Sequence, residues 1–377
     1  MTAPPAAGGM RVFFATGEAS GDFLAASLAT AMRRLGPDIR FAGIGSERMA
    51  EAGIELTTRT TGWGSLGPLE ALGRIPPLFA NAWRHALWLR RSPWDLVVLV
   101  DFGAYNLRLA KTLRGLRYPG PILYFMPPGA WLDRPRQARA VARYATALTA
   151  FEHQRDFYTS LGLPIAYFGH PLVSLVEPRE TPPLASPDGG VVALLPGSRR
   201  SEIARHMGPL LGACRRLRAR RPRVRFLIAA ADADARNAIE AECEKVFLDG
   251  VRVVRGARAA LDPANAAWVA SGTAVLEAAL REVPTVALYV IAEAQVALAR
   301  RVWPHPYITL PNIVAGREIV PERLQGDAEP ESLAAALDAL LRDPAEQLAG
   351  MRSLRAALGT AEALPACAAF AVGLAAA

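Results

Sequence analysis

Short stretches rich in Gly, Ser and Asp follow strand-like apolar runs at four points of the chain, and they hold the residues that could bind or react with a ligand. In one of them, LPGSR (195–199), a Gly-Ser turn leaves backbone N–H groups free next to an arginine. Backbone N–H groups and a guanidinium together suit phosphate oxygens. We therefore predict that Gly197, Ser198 and Arg199 contact a diphosphate; a helix-start turn with a surface arginine is the alternative.

A second phosphate motif is SGTAVLE (271–277), which follows an apolar run and opens a helical pattern. Small residues at a helix start let a diphosphate approach the free N–H groups and the positive end of the helix dipole. We predict this contact for Ser271, Gly272 and Thr273. Glu277, about one turn further on, would accept hydrogen bonds from the two hydroxyls of a ribose. An N-cap followed by a solvated glutamate is the alternative.

The first half of the chain carries the candidate general base. Asp101 follows the apolar run 96–100, and a carboxylate at the carboxyl end of a central strand can take a proton from a substrate hydroxyl. Capping of the next helix is the alternative. The turn GEASGD (17–22) is not G-x-G-x-x-G, so a dinucleotide site is unsupported. We predict that Gly17, Glu18, Ser20, Asp22 and Asn106 line the cleft or contact an acceptor substrate.

An amphipathic stretch at 69–91 carries apolar residues at helical spacing, flanked by arginines. Such a face either packs in the core or lies in a lipid interface with its aromatic residues at the headgroups. Both interpretations remain open at this point. The membrane-facing candidates are Trp83, Trp88, Arg84, Arg90 and Arg91.

The sequence lacks the residue patterns of metal sites, disulfide frameworks and several classes of hydrolase. The five histidines stand apart without ligand spacing, and the three cysteines form no C-x-x-C pair, which indicates packing thiols. Neither a P-loop nor a G-x-S-x-G elbow is present. We predict that the protein uses no metal and no cofactor.

Composition excludes a disordered chain, because 51% of the 377 residues are hydrophobic and 21% are charged. The net charge is 43 − 35 = +8, and with only two lysines the basic residues are almost all arginine, which suits phosphate or anionic lipid. No nucleic-acid module is recognisable, so nucleic acid is not an expected partner. No apolar run reaches the roughly 18 residues of a membrane span. Because residues 1–10 resemble a loose tail and no signal peptide, we expect a cytoplasmic protein.

The elements that must position these residues alternate between strand and helix, which predicts an α/β fold with parallel sheets. A segment rich in Pro, Gly and acidic residues separates two such series. We therefore predict two Rossmann-like, doubly wound domains that face a cleft, with the ligand at the carboxyl ends of their strands. The strand-like runs are 11–15, 96–100, 122–125, 191–195, 224–229, 267–270 and 285–290, and two helical runs are 23–35 and 107–116. The predicted domain bounds are 1–10 (tail), 11–175, 176–190 (linker), 191–345 and 346–377.

Taken in order, the motifs resemble those of the lipid-A-disaccharide synthase family, inverting glycosyltransferases of the GT-B fold. The resemblance extends over nearly the whole chain. The matching stretches are GEASGD (17–22), GIGSERM (43–49), LGPLEALGR (66–74), Asp101 with NLRLAK (106–111), FGHPL (168–172), LPGSR (195–199), SGTAVLE (271–277) and LPNIVAGREIV (310–320).

The resemblance implies transfer of 2,3-diacylglucosamine from its UDP conjugate to the 6-hydroxyl of 2,3-diacylglucosamine 1-phosphate, without a metal. Asp101 would deprotonate the acceptor, Asn312 would help to hold the diphosphate, and Arg317 with Glu318 would line the cleft. The helices of 346–377 would return to the first domain. The acylated substrates also imply peripheral association with the cytoplasmic leaflet of the inner membrane, and the oligomeric state is left open.

The sequence departs from the family pattern in the acceptor half. Asp-Phe-Gly-Ala-Tyr-Asn replaces Asp-Ala-Pro-Asp-Phe-Asn, so that Ala104 stands in place of a second acid. The stretch 126–131 has lost one tryptophan of the family's Ser-Pro-x-x-Trp-Ala-Trp. These departures keep three alternatives open: a GT-B enzyme with another acceptor, a UDP-sugar 2-epimerase, and a non-catalytic protein that binds a nucleotide sugar or a lipid.

Overall fold

The structure, a computed structural model, describes residues 9–60, 68–92, 94–129, 132–179, 189–246, 249–303 and 305–376, of which 68–79, 104, 298–300 and 302 are described by their backbone alone. These residues form two compact units. Unit 1 comprises the described residues up to Leu175 together with those from Leu358 onward, and unit 2 runs from Val176 to Ala357. Most of the predicted tail at 1–10 and most of the predicted linker at 176–190 lie outside the described residues.

Unit 1 is an open sheet of parallel strands with helices between them. Its elements, in chain order, are β1 (Arg11–Ala15), α1 (Ala19–Leu35), β2 (Arg40–Gly45), α2 (Glu47–Glu51), β3 (Glu55–Arg59), α3 (Pro68–Arg91), β4 (Leu96–Val100), α4 (Gly103–Gly115), β5 (Ile122–Phe125), α5 (Pro135–Tyr144), β6 (Thr146–Thr149), α6 (Glu152–Ser160), β7 (Ala166–Tyr167) and α7 (Leu172–Leu175). The strand order is β3-β2-β1-β4-β5-β6-β7. Every residue of β4 is buried, as an apolar run in the middle of a parallel sheet requires.

Unit 2 repeats this plan. Its elements are β8 (Gly189–Leu195), α8 (Arg200–Arg220), β9 (Arg223–Ala230), α9 (Ala233–Glu244), β10 (Val251–Arg255), α10 (Gly256–Leu261), β11 (Ala266–Ala270), α11 (Thr273–Leu280), β12 (Thr285–Tyr289), α12 (Glu293–Val302), α13 (Leu310–Ala315), β13 (Glu322–Leu324), α14 (Pro330–Arg342) and α15 (Ala345–Ala357). The order β10-β9-β8-β11-β12-β13 is again parallel. In both sheets the order reverses beside the first strand, which is the doubly wound arrangement predicted from the sequence.

The last helix, α16 (Ala363–Ala376), belongs to unit 1, where it packs on α1. Its inward residues share one core cluster with strand residues such as Val12 and Val98. These inward residues are Leu364, Cys367, Ala368 and Ala371.

The return of the chain to unit 1 begins at Leu358 and not at residue 346, because α15 is bonded into unit 2. The side-chain amide of Gln347 accepts from the N–H of Thr285 at 2.7 Å. It also donates to the carbonyl oxygens of Thr285 at 2.9 Å and Ile319 at 3.1 Å. Because Gln347 is buried, pulling α15 away would leave these polar groups unsatisfied.

Two helices begin earlier than their apolar patterns indicated. Helix α1 begins at Ala19, not at residue 23, and α4 begins at Gly103, not at residue 107. The first turn of α1 is built from small or polar residues, and that of α4 has a single large side chain, the buried Tyr105, so hydrophobic periodicity marks neither turn. Within the described residues, no helix combines the length and the apolarity needed to cross a bilayer.

Candidate functional site

The phosphate motifs of unit 2 follow two neighbouring strands, β8 and β11, whose ends pair at Leu195 and Val269. This is where the strand order reverses, and ligands of doubly wound sheets bind beyond the carboxyl ends of the strands at such a point. LPGSR and SGTAVLE are about 75 residues apart in the sequence, but the fold brings them to the same edge of one sheet.

The LPGSR loop is shaped by Gly197 and Glu202. Gly197 has φ +111°, and a Cβ added there would lie 2.6 Å from Oε2 of Glu202, so only glycine fits. Glu202 closes a capping box with Arg199 at the start of α8. Arg199 lies 3.5 Å from the same carboxylate through Nη1 and keeps about a third of its side chain exposed, while Ser198 is exposed. The loop therefore presents a restrained guanidinium to solvent.

His206, which the sequence analysis set aside as an isolated histidine, holds this loop from beneath. It is fully buried. Its Nδ1 lies 2.7 Å from the carbonyl oxygen of Pro196, and its Nε2 accepts from the N–H of Val290 at 3.0 Å. These partners require a neutral ring with the proton on Nδ1, and burial lowers the pKa of His206. The ring thus connects the loop after β8 to the end of β12. The sequence gives no signal for this role of His206, because its partners are backbone atoms.

The second motif opens α11. Gly272 is the N-cap residue, with φ +148°; it is exposed, and nothing lies within 4 Å of the place that a Cβ on it would occupy, so the start of the helix is accessible. Ser271 is anchored by its N–H to Leu288 and by its hydroxyl, which donates to the carbonyl of Ile308 at 3.3 Å. Thr273 is half-buried. Glu277 forms a 3.5 Å ion pair with Arg281 and remains partly exposed.

Asn312 requires a correction, because its amide has no capacity left for a diphosphate. The side chain is fully buried. Its Nδ2 donates to the carbonyl of Val320 at 2.8 Å and to Glu322 at 2.9 Å, and its Oδ1 accepts from the N–H groups of Ile319 and Val320. Two donors and two acceptor sites are the full complement of an asparagine side chain. Asn312 therefore fastens α13 to the segment before β13.

The neighbouring Arg317 and Glu318 are both exposed. The guanidinium of Arg317 lies 3.5 Å from the place that a Cβ on Gly350 would occupy, so its side chain runs along α15. Its predicted contact with the ligand stays a prediction.

In unit 1 the reversal of strand order lies between β1 and β4, which pair at Ala15 and Leu99. GEASGD follows β1, and Asp101 follows β4. Asp101 and Phe102 both adopt left-handed backbone conformations, with φ +48° and +46°. Such conformations cost about 1–2 kcal/mol per non-glycine residue and are typically found at functional sites, where the surroundings enforce them.

The side chain of Asn106 holds the backbone of this turn. Its predicted place beside the acceptor or the cleft is therefore corrected. It is fully buried, and its Nδ2 lies 2.9–3.1 Å from three backbone carbonyls, those of Ala15, Val100 and Asp101. The hydroxyl of Tyr124 also donates to the carbonyl of Asp101, at 3.0 Å. Burial first, and then the charge of Asp101, raise the pKa of Tyr124, which keeps that hydroxyl protonated. The backbone of Asp101 is held from below while its half-buried carboxylate stays at the strand end.

The GEASGD turn separates into packing and exposed residues. The ring of Phe102 would lie 2.4 Å from a Cβ on Gly17, so glycine is needed for this contact. Asp22 is buried, and its carboxylate accepts from the N–H groups of Ser46, Arg48 and Met49 at the start of α2. Its predicted place beside the acceptor is therefore corrected to a helix cap.

The remaining candidates of this turn are Glu18 and Ser20, which lie in and just before the first turn of α1. Both are partly exposed. Their predicted acceptor contact stays a prediction.

Helix α3 divides its candidate residues between the core and the surface. Trp88 is half-buried and packs against the core, with its ring 5.6 Å from that of Phe13 and 6.0 Å from that of Trp94, which corrects its predicted place at the membrane. Trp83 is 54% exposed. The three arginines of the prediction are also exposed, and Arg90 donates to the carbonyl of Leu116. The exposed members are Trp83, Arg84, Arg90 and Arg91.

Among the described residues, no cluster of three His, Cys, Asp or Glu side chains is placed to hold a metal ion. Burial raises the pKa of the Cys214 and Cys367 thiols, the latter to about 12, as expected of packing residues.

Solved structures with the same architecture define the class. A UDP-GlcNAc 2-epimerase from Neisseria meningitidis, bound to UDP-GlcNAc, aligns with a TM-score of 0.65 at 12% identity over 97% of this chain and 100% of that one. A UDP-forming α,α-trehalose-phosphate synthase from Burkholderia vietnamiensis aligns with a TM-score of 0.53 at 13% identity over 98% and 100%. At such identities the likeness concerns the fold alone. With its two open, doubly wound sheets, the chain has the GT-B fold.

Sequence comparison identifies the family within this class. The family described as lipid-A-disaccharide synthetase matches residues 12–363. A lipid-A-disaccharide synthase of Pseudomonas aeruginosa (strain UCBPP-PA14) is 33% identical over 93% of this chain and 95% of that protein. One of Myxococcus xanthus (strain DK1622) is 34% identical over 95% and 94%. The chain belongs to the lipid-A-disaccharide synthetase family.

Proposed function

We propose that this protein is a lipid-A-disaccharide synthase. It transfers 2,3-diacylglucosamine from the UDP conjugate to the 6-hydroxyl of 2,3-diacylglucosamine 1-phosphate and releases UDP. Family membership supports the reaction. The observation that carries the residue assignment is Asp101, which stands in an enforced left-handed turn at the strand end where the sheet order reverses.

Unit 2 provides groups for the leaving diphosphate. The open amides at the start of α11 and the restrained Arg199 would stabilise the negative charge that develops on UDP as the glycosidic bond breaks. Glu277 would receive the ribose hydroxyls. Because these donors are fixed before the substrate arrives, they need little reorganisation during the reaction.

Unit 1 provides the base. The carboxylate of Asp101 would take the proton of the acceptor hydroxyl as the oxygen attacks the anomeric carbon from the side opposite UDP, so the configuration inverts. Ala104, in place of the family's second acid, leaves Asp101 as the carboxylate of this turn. The backbone bonds from Asn106 and Tyr124 would hold the turn in register during catalysis.

The exposed Trp83 and the arginines of α3 support peripheral contact with the inner membrane. An indole at the headgroup level and guanidinium groups beside anionic lipid suit an interfacial helix. Flotation with phosphatidylglycerol vesicles tests this: Trp83→Ser should weaken binding, and equal flotation of the variant and the parent would contradict the contact.

The test of the function is turnover of the full chain with both acylated substrates in mixed micelles. Asp101→Asn keeps the size of the side chain and removes the base, so we expect kcat to fall about 10²–10⁴-fold while UDP binding persists. The matched control is Asp156→Asn, an exposed acid on α6 paired with Arg155, which should stay within about twofold of the parent. Undiminished turnover by Asp101→Asn would refute the assigned base, and no UDP release by the parent would refute the reaction.

A further inference from the structure

Unit 1 contains a groove of about 790 Å³ that the reaction, as described so far, does not use. It lies between α4 and α5 and is lined by Leu107 and Ala140 and by the first turns of α5. Three arginines surround this apolar floor. They are Arg134, Arg136 and Arg139, and all three are exposed. The volume lies within the range of small-ligand sites.

The groove lies close to the turn that carries Asp101, although no residue of that turn lines it. Strand β5 pairs with β4 at Val100 and Phe125, so the loop that leads to α5 leaves the sheet beside Asp101. The same loop touches the first turn of α4, because a Cβ on Gly103 would lie 2.7 Å from the ring of Pro128. Leu107 is one helical turn beyond Gly103, a rise of about 6 Å. The groove therefore begins about one turn away from the candidate base, in the same unit.

The groove has an excess of positive charge, because three arginines and one aspartate line it. Across the described ranges, no carboxylate forms an ion pair with the three arginines. Asp133, the acid that lines the groove, has its carboxylate 3.0 Å from Nε2 of His153. The first turn of α5 holds no acidic residue, and its N-cap, Arg134, makes no side-chain cap, so the helix dipole adds to the positive potential. An apolar floor under three guanidinium groups suits an amphiphilic anion.

We propose that this groove binds the phosphate of the acylated acceptor. The proposal rests on the proposed function and extends it with a subsite that orients the acceptor. Guanidinium groups bind a phosphomonoester through bidentate hydrogen bonds. In a hexopyranose 1-phosphate, the phosphate is carried by C1 and the 6-hydroxyl by the carbon attached to C5, and C1 and C5 both flank the ring oxygen, so a phosphate held near the turn of Asp101 places the hydroxyl of the same sugar near the carboxylate. The donor diphosphate has its own binding groups in unit 2.

The test compares Arg136→Gln/Arg139→Gln with a matched control, Arg34→Gln/Arg40→Gln, which also removes two exposed arginines of unit 1. In the micelle assay we expect the groove variant to raise the KM for the acceptor about tenfold or more, with the KM for the UDP donor and the kcat at saturating acceptor unchanged. The control should match the parent. Equal thermal unfolding of the variants establishes that the fold is intact.

Removing the phosphate from the acceptor distinguishes the two sources of a bound phosphate. With 2,3-diacylglucosamine that lacks the 1-phosphate as the acceptor, the parent and the groove variant should have the same acceptor KM. If the KM defect persists with this acceptor and flotation with phosphatidylglycerol vesicles is lost, the groove binds lipid headgroups and the proposal is overturned. An acceptor KM equal to that of the parent also overturns it, while turnover itself leaves the proposed function standing.

A binding measurement without turnover can support the subsite even if the proposed reaction fails. Calorimetry with a short-chain 2,3-diacylglucosamine 1-phosphate should show weaker binding to the groove variant than to the parent and the control. If this difference is found although the parent transfers no sugar, the subsite stands and the proposed reaction falls. Equal affinity for all three proteins removes the subsite.

Discussion

At the scale of single residues, the polar side chains nearest the strand ends divide into buried ones that hold the backbone and partly exposed ones. Asn106, Asn312 and Asp22 are buried, and their hydrogen bonds go to backbone groups or to other side chains of the fold. Asp101 and Arg199 lie in the same regions but keep part of their surface open. The sequence marks all five as polar residues in motifs, but burial, which decides their role, is set by neighbours distant in the chain.

Two buried histidines of unit 1 predict a loss of stability in mild acid. Burial lowers the pKa of His85 to about 4 and that of His170 to about 3. Both stay neutral in the folded unit, whereas an unfolded histidine takes up a proton below about pH 6.5. The free energy of unfolding should therefore be highest above pH 6.5 and fall as the pH drops towards 4, by up to about 1.4 kcal/mol per pH unit for each histidine.

Urea unfolding of the full chain at pH 7.5, 6.5 and 5.5 measures this slope. His85 is held by the hydroxyls of Tyr105 and Thr58, so His85→Gln should lower stability at pH 7.5 and reduce the slope. His153→Gln, at an exposed site, should leave the slope unchanged. A slope that is the same in the parent and in His85→Gln would contradict the assignment.

At the scale of elements, the function depends on which strands end next to one another. The four motifs follow β1, β4, β8 and β11, the strands on either side of each reversal of order. Alternation of strand and helix predicts the doubly wound sheets, and the motifs can be located from sequence because Gly-rich turns interrupt apolar runs. Strands such as β2 and β13 were not predicted, because glycines or charged residues weaken their apolar pattern.

Two glycines, one in the strained LPGSR loop and one inside a helix, should respond in opposite ways to an added methyl group. Gly197→Ala forces a Cβ into the Glu202 carboxylate at φ +111°, so we expect about 1–3 kcal/mol of destabilisation and a higher KM for the UDP donor. Gly373, inside α16, has open space around its Cβ position and no proline after it. Gly373→Ala should stabilise the helix by about 0.5–1 kcal/mol.

Thermal unfolding together with donor KM values checks this pair. Because both changes add one methyl group, size alone cannot explain opposite signs. If Gly197→Ala matched the parent in stability and donor KM, the LPGSR loop would not depend on its left-handed glycine.

At the scale of the whole molecule, the chain leaves unit 1 after Leu175, builds all of unit 2 and returns at Leu358. The returning segment meets unit 1 closely: Gly169 and Gly359 both have positive φ, and a Cβ on Gly359 would lie 3.1 Å from the Cα of Gly169. Helix α16 then completes the unit 1 core. Because α16 is rich in alanine on all sides, hydrophobic periodicity does not predict which of its faces packs on the core.

A charge introduced on either side of α16 should separate the stabilities of the two units. Ala368 is fully buried in the core of unit 1, whereas Ala369 is exposed. Ala368→Asp should lower the stability of unit 1 by more than about 3 kcal/mol, since it buries an unpaired charge, and leave unit 2 folded and able to bind UDP. Ala369→Asp should resemble the parent.

Scanning calorimetry with and without UDP follows both transitions. The UDP-responsive transition is expected to belong to unit 2 and to stay in place in Ala368→Asp. If both transitions shift together, the units unfold as one, and the separation proposed here is wrong.

The late return of the chain has a consequence for biosynthesis. A ribosome releases the strands of unit 1 first, yet their hydrophobic cluster lacks its closing helix until the segment after Leu358 has emerged. Unit 2 is continuous in sequence and can fold while that earlier half waits, so the order of translation and the order of maturation are reversed. Nascent unit 1 is thus the stretch on which chaperones would act, and termination of translation soon after Leu358 would yield a chain with a complete unit 2 and a unit 1 that lacks its closing helix.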